Sequence, residues 1–302
     1  RGRAELAAGA AGSGPPRVMD GPADDGAAAR DRVADGWRHL AAFFRHGARE
    51  LPDAIAAFRE AERAQRAAGG GEELVNTLLG LSLALRLARD PDEGRHAVVL
   101  AQEMVNIVRR YRGDAEALPY RAALEAAYRD LVDVERGEAA VRAAEEGIEA
   151  CDRTLALARR LRDPAAVPAS QATKAALLHR LTALGDSSAV PRRRRDALRL
   201  FAAALDAWPA RDVEGRAAVL CDAAEALADA GEASRAERFA RDAVEALRPT
   251  TNRYLLARAR HAEARAALTA DCRDALDLVT AAAAEFRALG CEWDARQVEA
   301  LV

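Results

Sequence analysis

Aromatic residues are scarce here, with three Trp, four Tyr and six Phe among 302 residues, 4% of the chain. Large side chains supply most of the area a core removes from water. Their scarcity argues against one thick globular centre and for thin helical layers. Long apolar runs are also missing: none approaches the ~20 residues that a membrane helix needs. The opening RGRAELAAGAAGSGPP holds no leucine-rich signal core. Arg1 stands where a nascent chain has Met, which suggests a piece of a longer or processed polypeptide.

Neither sign of charge dominates. The 45 basic and 48 acidic residues leave a net charge of −3, so no global basic field recruits nucleic acid. The four cysteines, Cys151, Cys221, Cys272 and Cys291, lack CxxC spacing and read as small hydrophobes in a reducing, cytoplasmic compartment. Five histidines, His39, His46, His96, His179 and His261, form no HExxH or other ligand spacing. There is no GxxxxGK[ST], and Gly69-Gly70-Gly71 lacks the Lys-Ser/Thr that a phosphate loop requires. No nucleophile sits in an activating context. No cofactor, metal or membrane partner is therefore expected, nor catalysis, although a helical enzyme without recognisable motifs is a third alternative.

What the chain does have is alanine at helical spacing. In Arg216–Pro249, Val219, Leu220, Ala223, Ala224 and Leu227 form one stripe. Ala236, Phe239, Ala240, Ala243, Val244 and Leu247 form the next, with Ala230-Gly231-Glu232 as the break between them. Similar pairs precede it. Trp37, Leu40, Ala41 and Phe44 are answered by Ala54, Phe58 and Ala61. Leu79, Gly80 and Leu83 are answered by Ala97 and Ala101 after Asp90-Pro91-Asp92. A looser pair turns at Gly137. The fourth carries Leu177, Leu178 and Leu181, turns at Gly185-Asp186, and continues through Ala197, Phe201, Ala204 and Pro209. The sixth spans about Thr251–Leu289, and a final helix, Trp293–Val302, caps the stack. Residues 1–29, rich in Gly, Ala, Pro and Asp, read as a flexible tail or linker, with one helical turn expected at Ala4–Ala8.

The small residues recur at set positions. With Leu220 as the fourth position of a unit, Ala224 is the eighth, Leu227 the eleventh, Ala236 the twentieth and Ala243 the twenty-seventh. This pattern resembles the tetratricopeptide repeat, a helix–turn–helix unit of about 34 residues. From Ala54 to Ala97, Ala197 to Ala236 and Ala236 to Ala275 the steps are 43, 39 and 39 residues, so these units are longer than the family's. The resemblance covers residues 30–302. It implies an all-α, right-handed α-solenoid of about six helical hairpins with a C-terminal capping helix. Irregular arrays of this kind resemble those attached to bacterial signalling ATPases, transcriptional regulators and caspase-like proteases.

In such arrays the first helix of each pair lines an inner groove where peptides dock. Carried over, the inward positions are Arg38, Ala42 and Arg45, then Ala175, His179 and Thr182, then Cys221, Glu225 and Ala228. Ala224 falls at the close helix contact and Ala228 on the open side. The Lys-plus-Asn clamp that some members use for a C-terminal carboxylate is absent from these positions. Arg38 and Arg45 lie two turns apart and share a face, bordered by Asp35 and His39. That patch suggests an acidic or amphipathic protein segment as partner. Arg192–Arg195 reads as a solvated turn before a helix that begins near Asp196. The expected function is a non-catalytic protein- or peptide-binding scaffold. The alternative is a regulatory or sensor module of a larger signalling protein.

Overall fold

The computed structural model describes residues 25–184 and 187–302. Among them are thirteen α-helices, three short 3-10 turns and no strand. The helices are α1 (Asp25–His46), α2 (Leu51–Ala67), α3 (Leu74–Leu87), α4 (Pro91–Arg112), α5 (Asp114–Val134), α6 (Gly137–Leu161) and α7 (Val167–Leu184). They continue as α8 (Val190–Ala207), α9 (Val213–Asp229), α10 (Ala233–Leu247), α11 (Arg253–Thr269), α12 (Ala275–Ala288) and α13 (Glu292–Glu299). The all-helical expectation holds. The expected tail is shorter at its end, since residues 25–29 already belong to α1. The rest of that tail, Ala4–Ala8 included, and the Gly185-Asp186 turn lie outside the described residues.

The helices form two compact units. One comprises residues up to Ala42 and Glu50–Thr173; the other comprises Phe43–Arg49 and Lys174–Val302. Within the first, each of α3 to α5 packs on the next helix in sequence, and α3 also touches α5. Within the second, α9 to α12 do the same, and α9 touches α11. Contact with the next helix and the next but one is the stacking of a helical-repeat solenoid.

Local signals set the helix boundaries. Asp90 accepts from the backbone N–H of Asp92 and Glu93 at 2.9 and 3.1 Å, with Pro91 at the first helical position of α4. Asp212 caps α9 through Gly215 N–H at 2.9 Å, and Asn252 caps α11 through Leu255 N–H at 3.0 Å. Arg192–Arg195 lies inside α8, which starts at Val190. Pro191 starts that helix well, and no carboxylate in its first turn offsets the run.

Packing depends on small residues. In the first unit the Phe58 ring is fully buried and clamped between α1 and α3. A Cβ added to Gly36 meets its ring atoms at 2.7 Å, and one added to Gly80 meets them at 2.2 Å. Trp37 completes the cage edge-on, ring centroids 5.5 Å apart. In the second unit Ala217, Ala224, Ala240, Ala243, Ala259 and Ala262 pack with Leu220, Val244, Leu247 and Leu255. The Phe43–Arg49 segment belongs here: Phe43 stacks on Tyr254 at 5.3 Å, and Ala48 N–H donates to Leu289 O at 2.6 Å.

Five positions of the repeat register need correction. In α1 the buried stripe is Val33, Gly36, Leu40 and Phe43, so Ala41 is exposed and Phe44 only half-buried. Both stripes share Leu40, and alanine-rich flanks do not distinguish them. Ala175, Cys221 and Ala228, expected in an open groove, are all buried; Ala228 packs with Leu227, Ala236 and Ala266. A leucine at 228 therefore overpacks much as one at 224 does.

Gly80→Ala separates packing from propensity. In an open helix the change stabilises by about 1 kcal/mol. Here the clash with Phe58 reverses the sign, with an expected loss of roughly 1–3 kcal/mol in denaturant unfolding.

Candidate functional site

The strongest polar constellation is in the second unit, on α9 and α11. The α9 helix is buried almost all round, yet Asp222, Glu225 and Asp229 recur on it at i, i+3 and i+7. On α11 the matching positions are Arg258, His261 and Arg265, each 36 residues on from its α9 counterpart. The register is fixed at the helix starts, where the Asn252 side-chain amide donates to Glu214 Oε2 at 3.0 Å. The result is a ladder of three facing rungs.

The two outer rungs are closed. Arg258 Nη2 donates to Asp222 Oδ1 at 2.9 Å, and Asp222 is buried. Burial works against the Arg258 charge, but the Asp222 carboxylate more than offsets it and holds the guanidinium above its usual range. Arg265 reaches both oxygens of Asp229 at 2.6 and 2.8 Å. The middle rung is open. Glu225, half-buried, makes no hydrogen bond or ion pair among the described residues. His261 Nε2 is buried and has no hydrogen-bond partner. Burial lowers the His261 pKa, with Glu225 opposing, so the ring is neutral at pH 7 and offers an acceptor nitrogen.

A second imidazole flanks the ladder from α7. His179 Nε2 lies 3.4 Å from Asp229 Oδ2, and burial lowers its pKa despite that carboxylate. Thr182 Oγ1 donates to His179 O at 2.6 Å, so its hydroxyl proton is engaged within its own helix. Glu225 acts electrostatically on both His179 and His261. Of the sequence-derived candidates, His179, Thr182 and Glu225 thus fall in one unit around this ladder. Beneath it, Cys221 is wholly buried, and burial pushes its thiol up to about 12, which makes it inert. Asp222, Asp229, Arg258, His261 and Arg265 were missed in sequence. Their equal offset of 36 residues was the signal that could have found them.

The α1 candidates sit differently. Asp35 and Arg38 pair with each other on an exposed face. His39 Nδ1 is 3.2 Å from Glu50 Oε2. All three belong to the first unit; Arg45, exposed, lies in the last turn of α1 within the second unit and has an interaction of its own. The Arg38 charge on which an acidic partner was expected is thus already met by Asp35.

The first unit has its own rungs between α3 and α5. Arg86 pairs with Asp130 at 2.7 Å and Arg89 with Asp133 at 3.7 Å. Burial raises the Asp130 pKa, but Arg129 and Arg86 outweigh it and hold the carboxyl well below its ordinary range. One further acid was unforeseen. Glu125 is fully buried on α5, where Ser170 Oγ donates to its Oε1 at 3.1 Å and its Oε2 has no partner. Among the described residues no group of three His, Cys, Asp or Glu side chains is arranged to hold a metal, and no helix is long and apolar enough to cross a membrane.

No protein-family model matches the chain, and no curated protein matches it. Two of the solved structures that show likeness are helical-repeat proteins. One is a circular tandem repeat protein with a novel repeat topology and enhanced subunit contact surfaces. It is 15% identical, covers 92% of this chain and 77% of that one, and gives a TM-score of 0.38. The other is a de novo designed helical repeat protein, 20% identical over 92% of this chain and 97% of that one, with a TM-score of 0.18. Both are helical-repeat proteins; at these scores neither bears on any residue or activity of this chain.

Glu125 yields a pH test. Burial pushes its carboxyl up to about 7, with hydrogen bonds from Thr154 and Ser170 opposing. The unfolded value is about 4.3, so the fold favours the protonated acid. Its stabilising contribution is complete below about pH 4 and is lost as pH rises through 7, by roughly 3 kcal/mol in all. Glu125→Gln keeps the shape without the titration. Melting curves from pH 5 to 8 should show the wild type losing stability relative to this variant, and parallel curves would remove Glu125 as the cause.

Proposed function

We propose that the protein is a non-catalytic scaffold of tetratricopeptide-like architecture. It holds a segment of a partner protein against the first helices of its hairpins. The single observation that carries this reading is the open middle rung, Glu225 opposite His261, between two closed ones. A buried acceptor nitrogen without a partner is costly unless a ligand supplies a donor. Two acceptors at matching positions of α9 and α11 suit a lysine ammonium or an arginine guanidinium. His179 and the closed Asp229–Arg265 pair border that point and give it a polar rim.

Asp35, Arg38 and His39, in the first unit, form a secondary proposed contact, with an acidic or amphipathic stretch as its complement; Arg45 belongs to the second unit. Arg45 is exposed on the last turn of α1 and has an interaction of its own. Thr182 contributes its remaining lone pairs rather than its proton. The four free cysteines suit a reducing, cytoplasmic setting. A place within a larger bacterial signalling protein is compatible with the same face, whose occupant would then be a neighbouring domain.

Binding of a lysine- and arginine-bearing peptide set to the full chain tests the reading. Glu225→Gln, which keeps size and removes charge, is expected to weaken the best basic peptide by about tenfold, as loss of a charge-assisted contact does. Lowering the pH below the ordinary imidazole range, far enough to charge the depressed His179 and His261, should weaken it again. Basic peptides that bind Glu225→Gln as tightly as the wild type would remove the ladder from the binding site.

A further inference from the structure

A groove in the first unit stands apart from the ladder. Its volume is about 780 Å³, and its walls come from the Gly69–Gly71 turn, one face of α4, and Tyr128 of α5. The floor is apolar, with Leu74, Val98 and Ile107 half-buried or better. Val99 and Tyr111 line it while remaining 61% and 54% exposed. They are two of the three large apolar side chains that the described part of this unit exposes, the other being Leu161. Concentration of exposed apolar groups at one concave place marks an interaction surface.

The charges at the rim select the partner. Arg66 donates to both oxygens of Glu103 at 2.8 and 2.7 Å and also to Glu62 at 2.9 Å, so these charges cancel locally. Arg110 has no carboxylate partner among the described residues; its guanidinium lies 5.8 Å from the Tyr111 ring centroid. Of the two cations that line the groove, Arg110 is therefore the one without a carboxylate partner. From Val99 to Tyr111 the α4 axis advances about 18 Å at ~1.5 Å per residue, the length of roughly three turns of a docked helix. A strip of that length on an open groove fits helix-in-groove recognition, with apolar anchors one turn apart.

We propose that this groove docks an acidic amphipathic helix of a partner protein. Its apolar stripe lies along Val99, Ile107 and Tyr111, and a carboxylate at one end pairs with Arg110. The site is independent of the Glu225 ladder.

The test uses fluorescence anisotropy on the full chain with a labelled helical peptide of Glu and Leu in heptads. A Lys/Leu peptide and a Glu/Ser peptide serve as controls for charge and apolarity. Wild type is expected to prefer the Glu/Leu peptide over both. The Val99→Ser/Tyr111→Ser double variant, exposed at both positions and so expected to fold, should bind it about tenfold more weakly. Arg110→Glu should bind it roughly fivefold more weakly and bind the Lys/Leu peptide better than wild type does. Glu225→Gln should leave all of these affinities unchanged, which separates this site from the ladder. No binding by the wild type, equal affinity for the three peptides, or variants indistinguishable from wild type would each overturn the proposal. Self-association of the wild type that Val99→Ser/Tyr111→Ser abolishes in sedimentation would assign the face to a second copy instead, and would also overturn it.

Discussion

Everything in this protein depends on helices approaching closely across alanine and glycine. A side chain the size of alanine removes little area from water, so each contact is weak alone. Close approach compensates by bringing many backbone and Cβ atoms into dispersion range. The rare aromatic residues are placed where that approach leaves a hole of the right size. Phe58 fills the gap that Gly36 and Gly80 open, and Phe286 packs on Tyr254 with ring centroids 5.9 Å apart. Such interiors tolerate little, because an added methyl has no free volume to enter.

Close packing also dictates where polar groups go. Helices such as α9, buried almost all round, leave one narrow stripe for charge. Acids and bases on neighbouring first helices then meet: Asp222 with Arg258 and Asp229 with Arg265 at an offset of 36 residues, and Arg86 with Asp130 at 44. Pairs this buried return much of their attraction to desolvation, so they add more to register than to stability. Their value for function lies in contrast. A ladder in which each rung but one is closed defines a single point where a ligand donor is wanted, at Glu225 and His261.

Much of the architecture was legible in the sequence. Ala224 at the eighth position, with Leu220 and Leu227 around it, and Gly80 between Leu79 and Leu83 mark helix contacts that the structure places there. Helix boundaries followed from Pro91, Asp90 and Gly137. The register of α1 was not legible, because Gly36 carries no side chain to announce itself and Phe43 and Phe44 compete for one stripe. His179 and Glu225 were found by repeat position. Their partners were missed because a rung joins residues 36 apart, a distance along which helical periodicity is silent. Glu125 was missed for a different reason. A glutamate on an amphipathic helix reads as solvated unless the neighbouring helices, α6 and α7, are known to cover it.

The central claim is that an aromatic ring wedged between glycines sets the helix spacing in the first unit, and a double-mutant cycle tests it most directly. Gly80→Ala, Phe58→Leu and the pair together would be compared by denaturant unfolding of the full chain. Leucine removes the ring atoms that the new methyl meets, so the pair is expected to be less destabilised than the sum of the singles, by about 1 kcal/mol or more. Additivity within about 0.3–0.5 kcal/mol would contradict the account, because it would mean that Gly80 and Phe58 do not share the contact.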